Sequence, residues 1–375
     1  MISTAWKFLK YDKPKSMGAL AGMVMSVFLI GQQCGIFLFV TTAMATLVKN
    51  NVDYIWVVDW QTNNANALYY IDSRLGPTLE SIPGVESAYP LFVSQASAHF
   101  QNGMNAYAFI VGVDAVHLTG GPWNIYQGKK EMLKQEQAVF TEYFDRVLYG
   151  GLELNEFFEL NGHQVQNIGF TKGIRGFAGG SYVFTTIERA HEISGVDMHK
   201  VSAYLVSVKN PEDKDRIITY INKNFGYVKA WKAEDLAWTT VQTILKTSGI
   251  AYSFGMLILF AFIVGSVIIG LTLYSSTMDR VKDYGTLKAI GANNRYITRL
   301  ILTQALLLCI VGFMLGTGLM EFFRWGIAHK GIFFHYPLWL RGVFFLITVF
   351  TALLGSFFPI RLITKLEPAQ VFRSV

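Results

Sequence analysis

Residues 16–48 read SMGALAGMVMSVFLIGQQCGIFLFVTTAMATLV, 33 residues without one charged side chain. A helix rises about 1.5 Å per residue, so this stretch is longer than the roughly 30 Å hydrocarbon core of a bilayer. Three further windows share the property, at 247–278, 300–320 and 342–360. A soluble core can bury one such run, but a chain of 375 residues has too little interior to bury four. The sequence therefore predicts four transmembrane helices.

The charge distribution predicts how these helices are oriented. The chain is 52% hydrophobic and only 15% charged, with a net charge of +6. Residues 1–15, 279–299 and 361–375 together hold 12 basic and 4 acidic side chains, whereas the rest of the chain holds 20 basic and 22 acidic ones. By the positive-inside rule, these three segments face the cytoplasm. We therefore expect a multi-pass membrane protein with both termini inside and no nucleic-acid partner.

The first window also has features of a secretory signal. Four lysines precede it, and Ala43-Met44-Ala45 resembles a cleavage site. The apolar core of a signal peptide is about 7–15 residues long, however, and this run is about twice that. We therefore expect a retained signal anchor, preceded by a short amphipathic helix at 1–15 that lies on the cytoplasmic leaflet.

Residues 49–246, between the first two spans, form a large water-exposed domain that the charge pattern places outside the cell. Strands are predicted at 53–60, 85–92, 106–113 and 201–208, and helices at 68–81 and 211–224. Asn161-Gly162 is typical of a two-residue hairpin turn. The order predicts a mixed α/β domain of two lobes. It needs its own apolar core, because the two cysteines of the chain, Cys34 and Cys309, both lie in predicted spans.

The predicted organisation is then complete. An interfacial helix (1–15) leads into the first span with its stalk (16–48) and the outer domain (49–246). The outer domain is followed by a second stalk and span (247–278), a cytoplasmic coupling helix and loop (279–299), the third span (300–320), a short outer loop (321–341), the fourth span (342–360) and a cytoplasmic tail (361–375).

Catalytic and metal-binding motifs are missing from the sequence. There is no phosphate-binding Gly-x-x-x-x-Gly-Lys-Ser/Thr loop, no His-Glu-x-x-His and no Gly-x-Ser-x-Gly. His191, Glu192, Asp197 and His199 fit no common pattern of metal ligands, and solvated loop residues are the better interpretation. We expect no catalytic residue, no metal site and no cofactor bound by this chain.

Polar and small residues mark the predicted spans. Gln32 and Gln33 fall near the middle of the first span, where an unpartnered amide is costly, so they predict an intramembrane polar site or a protein interface. Small-x-x-x-small pairs allow two helices to approach closely, either within the chain or between two copies. These pairs are Gly18/Gly22, Gly31/Gly35 and Gly312/Gly316.

Three short motifs resemble MacB/FtsX-type ABC-transporter permeases. Residues 280–292, RVKDYGTLKAIGA, resemble the family's cytoplasmic loop, in which basic residues precede Glu-Ile-Gly and then Arg-Ala-Leu-Gly-Ala, with Asp and Lys here replacing Glu and Arg. Residues 366–373, LEPAQVFR, and 82–88, IPGVESA, resemble two further family phrases. The length and the lack of a fused ATPase are most similar to the DevC-like and HrtB-like branches.

The resemblance implies the permease subunit of an exporter in the bacterial cytoplasmic (inner) membrane, working by mechanotransmission. Its partners would be a second permease copy, two copies of a cytoplasmic ABC ATPase that acts on ATP and Mg, membrane lipid and, where one is present, a periplasmic membrane-fusion adaptor. Haem, lipids or glycolipids and small toxic compounds stay open as substrates. The ATPase-coupling residues it implies are Asp283, Tyr284, Gly285, Leu287, Lys288, Ile290 and Gly291.

Two other functions fit parts of the pattern. An FtsX-like regulator would transport nothing and would instead switch an outer partner such as a cell-wall hydrolase. A membrane-bound sensor would need a cytoplasmic output domain, for which the inner segments are too short.

Overall fold

The computed structural model describes residues 4–7, 13–147, 149–177 and 180–365. In chain order the elements are α1 (Lys13–Ala43), α2 (Thr46–Lys49), β1 (Ile55–Asp59), β2 (Ile71–Asp72), α3 (Leu75–Glu80), β3 (Val85–His99), β4 (Asn105–Val113), β5 (Ile125–Gln127), β6 (Ala138–Glu142), β7 (Phe157–Leu160), β8 (His163–Thr171), β9 (Ser181–Thr186), α4 (Ile187–Ser194), β10 (Lys200–Val201), β11 (Ala203–Val208), α5 (Lys214–Asn224), β12 (Val228–Lys232), α6 (Ala233–Ser248), α7 (Ile250–Asp279), α8 (Val281–Ala289), α9 (Asn294–Ala328) and α10 (Leu338–Lys365). They form two compact units. The helical unit comprises residues up to 38, 250–329 and from 333 onward, and the α/β unit comprises 39–249 with 330–332.

Four helices of the helical unit, α1, α7, α9 and α10, are long and apolar enough to cross a membrane. They contain 31, 30, 35 and 28 residues, which confirms the four predicted spans. The third and fourth helices extend beyond the charge-free windows 300–320 and 342–360, and the non-helical segment between them covers 329–337. Charged residues are found within these longer helices. Glu321 of α9 pairs with Arg324 of the same helix at 2.7 Å and with Arg341 of α10 at 2.9 Å.

Glycines let the four helices pack closely. A Cβ on Gly22 would lie 2.3 Å from Ile268, and one on Gly312 would lie 2.3 Å from Met23. Gly31 and Gly35 likewise face side chains of the same chain, and Gly316 faces Val27. These glycines therefore serve packing within one chain. A Cβ on Gly18 would meet no atom within 4 Å, so this glycine is not needed for that packing.

The first two predicted windows are each divided by a break. After Ala43 a turn at Met44-Ala45 separates α1 from α2, and Gly249, with φ of +69°, separates α6 from α7. A left-handed glycine commonly ends a helix, because it has no Cβ to clash with the backbone. The spans and the helices beside them are therefore distinct elements and not continuous rods, as windows 16–48 and 247–278 suggested.

The α/β unit is built on a mixed sheet. Its order is β12-β1-β11-β3-β4-β9-β6-β8-β5, with β7 pairing with β3 and β8. The β4–β9 and β6–β8 pairs are parallel. In β1 the alternate residues Trp56 and Val58 pack against α6, whereas Ile55 and Val57 pack in the cluster that holds α3 and α5. Both faces of the sheet are thus covered here, which explains why the first four residues of this strand are all apolar.

Strand β12 lies at one edge of the sheet, and a side chain covers its open side. Asn222 of α5 accepts a hydrogen bond from the Ala230 N–H at 2.7 Å and donates one to the Ala230 carbonyl at 3.0 Å. The amide group thus occupies the two hydrogen-bonding positions that a neighbouring strand would use.

Most secondary-structure predictions for this unit are confirmed, with two exceptions. Asn161 and Gly162 have φ of 49° and 82°, the positive pair expected of a type I′ hairpin between β7 and β8. The helix predicted at 68–81 is wrong in its first half, because Ile71 pairs with Val201 as a strand. The second exception is the segment from β5 to β9, in which the hairpin turn at Asn161-Gly162 was predicted but the strands were not.

Two sequence predictions concern residues that lie partly or entirely outside the described ranges. Of the interfacial helix at 1–15, residues 4–7 are helical and Trp6 is exposed, whereas 1–3 and 8–12 lie outside them. The motif at 366–373 lies outside them entirely.

Candidate functional site

Helix α8 carries most of the predicted coupling residues and has two different faces. Its exposed residues are Lys282, Asp283, Thr286 and Ala289, followed directly by Ile290. Tyr284 and Gly285 are buried on the other face, with Leu287 and Lys288 half-buried beside them. The spacing of exposed positions by three and four residues is that of one helix face. The predicted site is therefore divided between a surface that is free to bind and an anchor.

Tyr284 forms the centre of the anchor. Its side chain is 1% exposed and belongs to an apolar cluster with Ile297 and Ile301 of α9 and Ile363 of α10. Burial raises the pKa of the phenol, and a hydrogen bond with Gln304 opposes that shift. The hydroxyl thus stays protonated and links α8 to α9. Gly285 is buried next to it.

Lys288 forms the second part of the anchor. Its ammonium group donates to the carbonyl of Ile363 at 2.8 Å and to that of Thr364 at 3.2 Å, in the last turn of α10. A hydrogen bond from a cation is stronger than one from a neutral donor, so these two contacts hold α8 against α10. Burial lowers the pKa of this lysine.

The end of α8 is fixed by a glycine turn. Gly291 has φ of +105°, its N–H donates to the Lys288 carbonyl at 3.0 Å, and the Ala292 N–H donates to the Leu287 carbonyl at 2.9 Å. This is a Schellman ending, which requires the left-handed residue to be Gly or Asn. Asn293 then begins α9 by accepting a hydrogen bond from the Tyr296 N–H at 2.8 Å.

The turn leaves an apolar side chain uncovered beside a groove. Ile290 is 80% exposed, although it follows a helix whose other large apolar residues are at least half-buried. A groove of about 380 Å³ adjoins it. The groove is lined by Leu287, Ile290, Gly291, Ala292, Asn293 and Tyr296.

Gln32 and Gln33 lie away from this helix. Lys15, near the start of α1, pairs with Asp279 at the end of α7, which is the end that leads into α8. Gln32 is 17 residues further along α1, or about 25 Å at the helical rise. Both glutamines are half-buried. The structure therefore does not bring the predicted polar site and the coupling residues together.

The α/β unit contains a buried acidic pair that the sequence analysis missed. Glu142 accepts hydrogen bonds from the Gly173 N–H at 2.6 Å, the Thr171 hydroxyl at 2.8 Å and the Ile174 N–H at 3.0 Å. Burial raises the pKa of Glu142 to about 7. Asp145, also buried, pairs with Arg175 at 3.0 Å and accepts a hydrogen bond from Ser181. Nothing in the local sequence distinguishes these acids from surface ones.

Within the described ranges, no group of three or more His, Cys, Asp and Glu side chains is placed to hold a metal ion. His191 is buried with its ring 4.2 Å from that of Phe92, whereas Asp197 and His199 pair with each other at 2.9 Å on the surface. The sequence cluster at 191–199 is thus divided between core and surface.

Comparison with known proteins gives one family match and one curated relative. Residues 255–368, from α7 to just beyond α10, match the family described as FtsX-like permease C-terminal. The chain is 29% identical over 183 residues to an uncharacterized ABC transporter permease from Methanocaldococcus jannaschii. That alignment covers 45% of this chain and 45% of the relative, so the chain spans less than half the length of the curated relative it matches.

Two solved structures resemble this chain at low similarity. One is the extracellular domain of the noncanonic ABC-type transporter YknZ from Gram-positive bacteria, with 14% identity, a TM-score of 0.36, and coverage of 47% of this chain and 98% of that one. The other is the periplasmic region of MacB from Actinobacillus actinomycetemcomitans, with 9% identity, a TM-score of 0.38, and coverage of 52% and 93%.

Proposed function

We propose, from the premise that this chain is a MacB/FtsX-type permease with its FtsX-like domain at residues 255–368, that it is the membrane subunit of an ABC exporter. ATP hydrolysis would be supplied by a separate cytoplasmic ATPase, and this chain would convert that cycle into motion of its spans and its α/β unit. The observation that carries the proposal is the uncovered face of α8, which ends in Ile290 beside the groove.

The exposed face of α8 suits docking to another protein. A single apolar side chain that is exposed at the centre of a polar surface is a common anchor of an interface when the partner supplies a pocket. Asp283 lies about two turns before Ile290 on the same face. Its carboxylate can attract a basic group of the partner, and it also stabilises the N-terminal end of the helix dipole. We therefore assign Asp283, Thr286 and Ile290 to contact with the ATPase.

The test replaces Ile290 by Asp and measures how much ATPase copurifies with the full-length chain. A charge placed in an apolar pocket costs about 2 kcal/mol or more, so we expect ATPase affinity to fall at least about 30-fold. Ile290→Leu, which keeps the apolar volume, should bind almost as well as the wild type. Equal binding by Ile290→Asp and the wild type would remove the docking assignment.

The orientation in the membrane is part of the proposal. We place both termini and α8 in the cytoplasm and the α/β unit outside the bacterial inner membrane, because the positively charged segments flank the spans on one side. Single cysteines at Asn161 and Asn293, both exposed, test this in a background without Cys34 and Cys309. An impermeant thiol reagent added to intact cells should label the first and not the second, and the reverse pattern would invert the topology.

We further propose that two copies associate through α7. This span buries the smallest share of its apolar window, 28%, compared with 33–44% for the other three. Five of its exposed apolar side chains recur at spacings of three and four residues, as along a helix–helix contact. These residues are Leu257, Phe260, Val264, Val267 and Leu271. The mechanotransmission mechanism requires such a pair, since closure of two ATPases must draw two sets of spans together.

A further inference from the structure

The starting observation is that three helices meet at the last turn of α10. Lys288 of α8 donates to the carbonyls of Ile363 and Thr364. From the first residue of α9, the Asn294 side chain also donates to the Thr364 carbonyl, at 3.4 Å. Donors from α8 and α9 thus converge on two neighbouring carbonyls of α10.

The position of Lys288 separates it from the docking face. Successive residues of a helix are rotated by 100°, so the side chains of Lys288 and Ile290 point about 160° away from each other. Lys288 instead lies one turn after Tyr284, on the buried side of α8. Its half-buried ammonium group makes two hydrogen bonds to carbonyls of α10, which leaves it oriented toward the bundle rather than toward a cytoplasmic partner.

We infer that Lys288 is a positioning residue that locks α8 to the end of α10, so that α8, the start of α9 and the end of α10 move as one body. The inference rests on the proposed function, because the motion it transmits is that of the bound ATPase. Helix α7 ends at Asp279 and α8 begins at Val281, so the chain itself links α8 to the second span. The lock at Lys288 adds a direct connection from α8 to the fourth span.

The consequence concerns where force enters the membrane. Without the lock, displacement of α8 would reach α7 and α9 through the chain. It would reach α10 through side-chain packing and the neutral hydrogen bond from Asn294 to Thr364. With it, a charge-assisted pair of hydrogen bonds, stronger than neutral ones, ties the cytoplasmic end of α10 to the same helix. All three spans of the FtsX-like domain then receive the displacement together.

The test measures hydrogen exchange of the backbone amides of α8 in the full-length chain, without the ATPase. Lys288→Met keeps the apolar stem but removes the donors, and we expect the protected amides of 281–289 to exchange about tenfold faster, as loss of a charged hydrogen bond predicts. Lys288→Arg, which keeps a cation, should restore slow exchange. The matched control is Lys282→Met, the same change on the exposed face, which should leave the rates unchanged.

The outcomes separate this inference from the proposed function. Exchange in Lys288→Met at the wild-type rate, or equally faster exchange in Lys282→Met, would overturn the lock. When the ATPase is added, Lys288→Met should still copurify with it but should lose substrate export. If Lys288→Met fails to bind the ATPase while its exchange is unchanged, Lys288 belongs to the docking surface and the inference is wrong. If the wild type binds no ATPase, the proposed function fails, and the exchange result still decides the lock.

Discussion

Replacing Gly355 by Leu should disrupt the packing of the second and fourth spans. A Cβ at this position would lie 2.8 Å from Ile269 and 3.1 Å from the backbone nitrogen of Gly270. The facing residue, Gly270, is equally close, since a Cβ on it would lie 3.2 Å from the Gly355 carbonyl oxygen. Overpacking of this kind costs about 1–3 kcal/mol, and more where backbone must move. We expect a large loss of thermal stability of the purified chain.

A control is available on the same helix. Gly342 also lies in α10, and a Cβ built there meets no atom within 4 Å. Gly342→Leu should therefore unfold within a few degrees of the wild type, and Gly355→Ala should fall between the two leucine variants. Similar melting temperatures for both leucine variants would show that the two spans are not held at the close approach described.

The second large effect is a dependence of stability on pH that comes from Glu142. Burial raises its pKa from 4.5 to about 7. In the window between these values the folded chain keeps the proton and the unfolded chain loses it. Stability from this group is therefore present at low pH and is lost as pH rises toward 7. The shift corresponds to a loss on the order of 3 kcal/mol across that window.

Other charged groups face Glu142 and must be separated from it. Asp145 is buried nearby, its own pKa is raised by burial, and Arg175 pairs with it. Comparison with Glu142→Gln isolates the contribution of Glu142, because that variant cannot titrate at this position. Unfolding of the full chain between pH 5 and pH 8 should lose stability with rising pH more steeply in the wild type than in the variant. Parallel slopes would contradict the assignment.

The sequence predicted those parts of the architecture that depend on residues close together in the chain. A charge-free run specifies a span, and Asn-Gly between two alternating segments specifies a hairpin. The same signals failed for β2, because two residues are too few to show a period and their pairing with Lys200 and Val201 is set by distant sequence. The charge-free windows also underestimated the lengths of α9 and α10, for a related reason. Glu321 and Arg341 read as loop charges until the structure shows that they pair with each other.

The sequence predicted which segment forms the candidate site, but it did not predict that α8 has one face toward the bundle and one exposed face. The motif at 280–292 identified the helix, and a resemblance assigned all of its marked residues to one role. The structure separates Tyr284 and Lys288, which contact α9 and α10, from Asp283 and Ile290, which are exposed. That division depends on which side of α8 meets the bundle, and a nine-residue helix with few apolar residues carries too weak a pattern to show it.

The amide of Asn222 has a consequence for how this protein behaves in a crowded compartment. An open strand edge invites pairing by strands of other molecules, and that is a common first step of aggregation. By occupying both bonding groups of Ala230, Asn222 closes β12 at its middle, so an incoming strand would find no continuous row of free groups. Partners of the α/β unit are thus directed to its side chains and loops, and the sheet cannot be extended through this edge.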